Sequence, residues 1–165
     1  MGRASARLRK TDISRLPCYA FRIVKYQKGF GVEEEYKQLR DGWEAGDRDR
    51  EHALHLLFLA WMHWADPPFV TLMSEDPRVL QLWHDVFAHF GGEASSDAEF
   101  LHVAGLMVQL FPYVLGDEQA WEAAAKRMKV RSLYLRPNGF PPELFEGRGE
   151  FGDYFTHQAH ASRSR

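Results

Sequence analysis

One spacing with chemical promise occurs twice in this chain, as Asp49-x-x-His52 and as Glu99-x-x-His102. A carboxylate and an imidazole three residues apart share one helix face, and two such pairs supply part of the ligand set of a di-metal centre inside a four-helix bundle. That centre also needs an inward carboxylate from each of two further helices. The sequence offers only Asp85 within Val79–Phe90, and surface-type acids in the first helical stretch. Both acids of the repeated pair also have a competing use. Ser96-x-x-Glu99 has the spacing of a capping box, and Asp47 or Asp49 is placed to cap the helix that follows. His52 and His55 are close enough to chelate one ion, but His63 stands about 16 Å further along a helix axis. The expectation is therefore a polar seam of hydrogen-bonded imidazoles with no metal, no cofactor and no catalysis.

Other constellations are weaker. Asp85 and His89, at i and i+4, read as a surface pair. Gly29-Phe30-Gly31 lacks both the third glycine of a dinucleotide loop and the Lys-Ser/Thr of a phosphate loop. No G-x-S-x-G occurs. The single Cys18 has no nucleophile signature, excludes an intrachain disulfide framework, and suits a reducing cytoplasm, the expected location.

Charge is distributed unevenly. The net charge is −2, but residues 1–30 carry eight Lys or Arg against one Asp, so the remainder is acidic. Between Glu33 and Glu51 lie eight acids, including Glu33, Glu34, Glu35, Asp41, Glu44 and Asp47, with Glu33–Lys37 and Glu44–Arg48 spaced as i,i+4 pairs. An acidic body disfavours nucleic acid and anionic membrane, and an acidic face steers a basic protein partner.

The elements that must hold these groups are helical. Glu51–Ala65 is apolar around most of its circumference, with His52, His55, His63 and Asp66 gathered in an arc of roughly 80°. Such a helix needs cover on several sides and is expected at the centre of the fold. It is stopped by Asp66-Pro67-Pro68 and is too short to span a bilayer, which takes ~20 apolar residues. Val32, Tyr36, Leu39 and Trp43 form a single stripe on a preceding helix. Asp76-Pro77 opens an amphipathic helix closed by Gly91-Gly92, and Gly116-Asp117 starts a long one whose Trp121, Ala124, Ala125 and Met128 face inward, with Lys126, Arg127, Lys129 and Arg131 near its end.

Asp49-x-Glu51 and Asp97-x-Glu99 lie 48 residues apart, each after an amphipathic helix ending in glycine. That arrangement is the layout of stacked α-α hairpins. The expected fold is all-α, a hairpin stack or bundle of about five helices. A basic leader is expected over 1–17, a single domain over 18–157 with a short extended segment at Cys18–Tyr26, an irregular aromatic segment from Pro137, and a loose tail over 158–165.

The strings Leu56-Leu57-Phe58-Leu59-Ala60-Trp61, Trp64-Ala65-Asp66-Pro67-Pro68-Phe69 and Phe145-Glu146-Gly147-Arg148-Gly149-Glu150-Phe151-Gly152-Asp153-Tyr154-Phe155 resemble small helical immunity proteins, which neutralise bacterial polymorphic toxins by direct binding. The resemblance covers residues from about 31 to 157 and transfers no functional residue; the basic leader departs from it. It implies a stoichiometric protein-binding inhibitor. Candidate contact residues are Glu33, Glu34, Glu35, Asp41, Glu44 and Asp47 for a basic partner, with Trp64 and Asp66 as a second position. The competing expectation is a metal- or small-molecule-binding helical protein, with enzymatic use of the His/carboxylate sets.

Overall fold

The computed structural model describes residues 31–163. The basic leader and the extended segment expected over Cys18–Tyr26 lie outside them. Among the described residues there are seven α-helices and no strand: α1 (Val32–Glu44), α2 (Arg50–Ala65), α3 (Pro68–Thr71), α4 (Val79–His89), α5 (Ala98–Leu110), α6 (Glu118–Leu135) and α7 (Gly149–Arg163). Single 3-10 turns stand at Gly92–Ala94, Pro112–Val114 and Pro142–Leu144. The class is all-α as expected, with seven helices rather than about five. None of those described is long and apolar enough to cross a membrane.

Helix α2 is buried without a break from Leu56 to Met62. Only a helix covered on all sides can carry such a run. The cover comes from α1 and α4 on its flanks and from the aromatic face of α7, where Phe151, Tyr154 and Phe155 stand 5.4 to 5.9 Å from the Phe58 ring. Helix α1 presents its one stripe to α2, with Val32 and Tyr36 buried and Leu39 and Trp43 half-buried. The second inner helix, α5, buries Phe100, Leu101, Val103, Ala104, Met107 and Val108, and packs most extensively on α6. The two helices run close at Gly105, where a Cβ would stand 3.4 Å from Met128 Cβ, in van der Waals contact.

Aspartates cap α2, α5 and α6, whereas α4 starts at Val79 after Arg78 with no side-chain cap, so the expected Asp76-Pro77 start lies before the helix. Asp49 Oδ1 accepts from the backbone N–H groups of Glu51 and His52 at 2.9 and 3.0 Å. Replacing it with Ala should cost ~1 kcal/mol, measured as a shift in the urea midpoint. Asp117 caps α6 in the same way through the Ala120 N–H. At α5 the cap is Asp97, which accepts from Phe100 N–H at 3.0 Å, while Ser95 Oγ accepts from Asp97 N–H. The expected Ser96–Glu99 capping box is therefore not formed. An ionised carboxylate at the positive end of the helix dipole outcompetes a hydroxyl one residue earlier, and Glu99 is left for other partners.

Two further expectations are corrected. Helix α6 continues to Leu135, so Lys126, Arg127, Lys129 and Arg131 sit in its middle and no base occupies its last turn. Arg127 pairs with Glu93 at 2.6 Å and Arg131 donates to the Ser95 carbonyl at 2.7 Å. The segment after Pro137, expected to be irregular and then loose from Gln158, contains α7 and stays helical through Arg163. Phe151, Tyr154 and Phe155 have the i, i+3, i+4 spacing of one helical face, and all three are buried. That hydrophobic gain overrides the helix cost of Gly152, ~1 kcal/mol, while Gly149 opens the helix at a φ of 60° that favours glycine.

Candidate functional site

The repeated carboxylate–histidine spacing does not assemble a joint site. Asp49 is consumed as a cap, and His52 Nδ1 lies 2.6 Å from Asp47 Oδ2, a pairing that raises the imidazole pKa. His102 stacks flat on Phe140 at 4.1 Å, whereas His52 pairs with Asp47, and burial pushes the His102 pKa down to about 4. His63 Nδ1 donates to the Leu59 carbonyl at 3.0 Å, and its ring rests on Tyr36. Asp85 accepts from Gln81, while His89 meets the edge of Trp43, so the expected Asp85–His89 pair is absent.

What the two copies do share is an arginine clamp. Arg148, in the turn before α7, places Nε and Nη2 each 2.6 Å from the carboxylate of Glu51 and directs Nη1 to Glu99. Arg50 completes the cluster, with Asp97 at 2.6 Å and Glu99 at 2.9 Å. The equivalent first-turn glutamates of α2 and α5 are thereby tied to α7 by one guanidinium. His55 extends the cluster between Glu51 at 3.1 Å and Glu35 at 3.3 Å, its ring stacked on Phe151. Arg148 holds the Glu51 pKa below the usual carboxylate range. For Asp97, burial raises the pKa, but the bonds from Arg50 and the Phe100 N–H outweigh it. Both oxygens of Glu51, Asp97 and Glu99 accept from these two guanidiniums, which makes such carboxylates poor bases.

The acidic face lies on α1 and is more neutralised than its sequence suggests. Glu33 pairs with Lys37 at 2.6 Å, as the spacing predicts, and also accepts from Ser74 N–H at 3.0 Å. Glu35 is engaged by His55, Asp41 by Arg40 at 2.9 Å, and Asp47 by His52. Glu44 pairs with Arg78 at 3.0 Å rather than with the expected Arg48, which instead lies over Trp43 at 3.8 Å. Glu34 is exposed and makes no such bond among the described residues.

These bonds tie α1 to the strap between α3 and α4. Glu33 holds Ser74, Tyr36 Oη and Arg40 donate to Asp76 at 2.8 and 3.3 Å, and Glu44 holds Arg78. At the head of this strap the chain leaves two large apolar side chains in water, Phe69 at 77% and Leu72 at 61% exposure. Their neighbours Val70, Thr71 and Met73 are buried, so the short helix α3 is pinned with Phe69 and Leu72 turned outward. Leu72 also adopts a left-handed φ of 57°, a conformation costing a β-carbon-bearing residue ~1–2 kcal/mol. Its N–H closes α3 on the Pro68 carbonyl at 2.8 Å. Of the second candidate position, Trp64 is half-buried against Trp83 and Asp66 is 9% exposed.

The acids of this edge were therefore legible in the sequence, and Phe69 stood at its margin, but Leu72 carried no signal. An apolar Val-Thr-Leu-Met run reads as core, and only the left-handed residue reverses which side chains face outward. Comparison with family models, with curated proteins and with solved structures finds no match for this chain.

Proposed function

We propose that the protein is a non-enzymatic binding module that docks a basic protein surface on the edge formed by α1 and the strap after α3. The observation that carries this reading is the pair Phe69 and Leu72, held outward at a strained backbone position beside the acidic first turn of α1. Pinned apolar anchors inside a polar rim have the anatomy of an interface hot spot, and pre-positioning them lowers the ordering cost of binding. Glu33, which holds Ser74, stands nearest these anchors, and Glu34, Glu35, Asp41, Glu44 and Asp47 extend the acidic charge along α1 and the turn after it. Because most are already paired internally, their contribution is to the rate of encounter, and the anchors carry the affinity. The specific form of the reading is an immunity protein that covers a cognate toxin, in keeping with the resemblance in the α2 and C-terminal strings.

The test uses the product of a neighbouring toxin-like reading frame, mixed with the full 165-residue chain. A 1:1 complex and loss of toxicity are expected. Phe69→Asp and Leu72→Asp should each weaken the complex by about 30-fold or more, the size of a hot-spot loss. Reversing Glu34, Asp41 and Glu44 to Lys should slow association and flatten its salt dependence without comparable change in dissociation. Failure to form a complex sinks the immunity reading. A complex indifferent to Phe69 and Leu72 moves the interface elsewhere.

A further inference from the structure

A second cleft shares no residue with the docking edge. Helices α5, α6 and α7 and the turn over 138–141 enclose a cleft of about 380 Å³, within the size range of small-molecule pockets. Its walls include Leu106, Leu133 and Pro141, with the Phe140–His102 stack as a flat side. No Asp or Glu lines it. Lys129 does, and makes no ion pair among the described residues, whereas Arg40, Arg50, Arg127 and Arg148 each pair with a carboxylate. His102 makes no hydrogen bond among the described residues, and at neutral pH its imidazole is uncharged because of burial.

Each feature limits the occupant. An unpaired ammonium in a cleft without acids attracts an anion and repels a cation. An uncharged imidazole offers one N–H and one lone pair, so it adds a hydrogen bond without demanding a second charge. The apolar walls favour an apolar body over a bare inorganic ion. Leu106, on the otherwise buried face of α5, is half-buried and forms one of those walls. We infer that this cleft binds a small organic monocarboxylate, its carboxylate on Lys129 and His102 and its body against Phe140, Leu133 and Leu106. The site is separate from the docking edge and does not depend on it.

Benzoate is the probe, titrated into isotope-labelled full-length chain and followed by amide and imidazole chemical shifts; benzylamine of the same shape and opposite charge is the control. Saturable shifts confined to His102, Lys129, residues 132–141 and 158–162 are expected with benzoate, and none that saturate with benzylamine. Lys129 is exposed, so Lys129→Met leaves folding intact; it should weaken benzoate by about tenfold or more, with Lys129→Arg retaining most of the affinity. Shifts that never saturate, an equal response to benzylamine, or unchanged affinity in Lys129→Met would each overturn the inference.

Discussion

Arg148→Met should lower the stability of the fold by about 2–3 kcal/mol, read from urea unfolding at neutral pH. Methionine keeps an apolar stem over Phe151, on which the guanidinium now lies at 4.8 Å, so the loss reports the charge and its bonds. Removing the cation leaves two carboxylates facing each other across α2 and α5. Glu99, with 12% of its side chain exposed, is the costly one to strand. Glu51 is more exposed, and Arg50 still reaches Glu99 at 2.9 Å, so the effect falls below that of a fully buried pair. Glu51→Gln and Glu99→Gln complete double-mutant cycles that apportion the two arms. The acid limb provides a second check. Glu51 has a folded-state pKa below its ordinary value of 4.5, so its contribution is present above that value and is lost as pH falls through the depressed one. Wild type should destabilise across that window, and Arg148→Met should lose less there because it has less to lose. A midpoint shift no larger than that of a surface substitution, ~0.5 kcal/mol, would reduce the clamp to a geometric coincidence.

The clamp also marks the limit of what local patterning can reveal. The equivalence of Asp49-x-Glu51 and Asp97-x-Glu99 was readable from composition and period, and both aspartates do cap their helices. The residue that joins the two glutamates was not readable, because Arg148 is 97 positions from Glu51 and 49 from Glu99. The same holds on α1. Glu33–Lys37 is local and was foreseen, whereas Glu44 turns from its neighbour Arg48 to Arg78, on a strap whose path the sequence leaves open. Helices with one apolar stripe (α1, α4) or a long apolar run (α2, α5) announce themselves by period alone. Helix α7 does not, since its glycines read as turns, although Phe151, Tyr154 and Phe155 already carried the helical spacing.

Gly152→Ala should destabilise the protein by about 3 kcal/mol, against the sign that helix propensity predicts. Inside an exposed helix the change would stabilise by ~1 kcal/mol. Here a β-carbon would overlap the Phe145 carbonyl oxygen and stand 2.8 Å from Arg148 Cβ. Neither neighbour can yield cheaply. Phe145 is fully buried, and Arg148 is fixed by Glu51 and Glu99. Moving α7 outward would withdraw Phe151 and Phe155, each 1% exposed, from contact with Phe58. The strain therefore has no soft outlet, and the turn carrying Arg148 shares it. Urea unfolding measures the loss, and hydrogen exchange locates it: protection should fall first in α7 while α5 and α6 keep theirs. Gly147→Ala is the matched control. Its φ of 75° penalises a side chain, but no atom lies within 4 Å of the added carbon, so only backbone strain of about 1 kcal/mol is expected. If Gly152→Ala proves neutral or stabilising, α7 does not rest on the Phe145 carbonyl, and the arginine clamp that depends on that seating is misplaced with it.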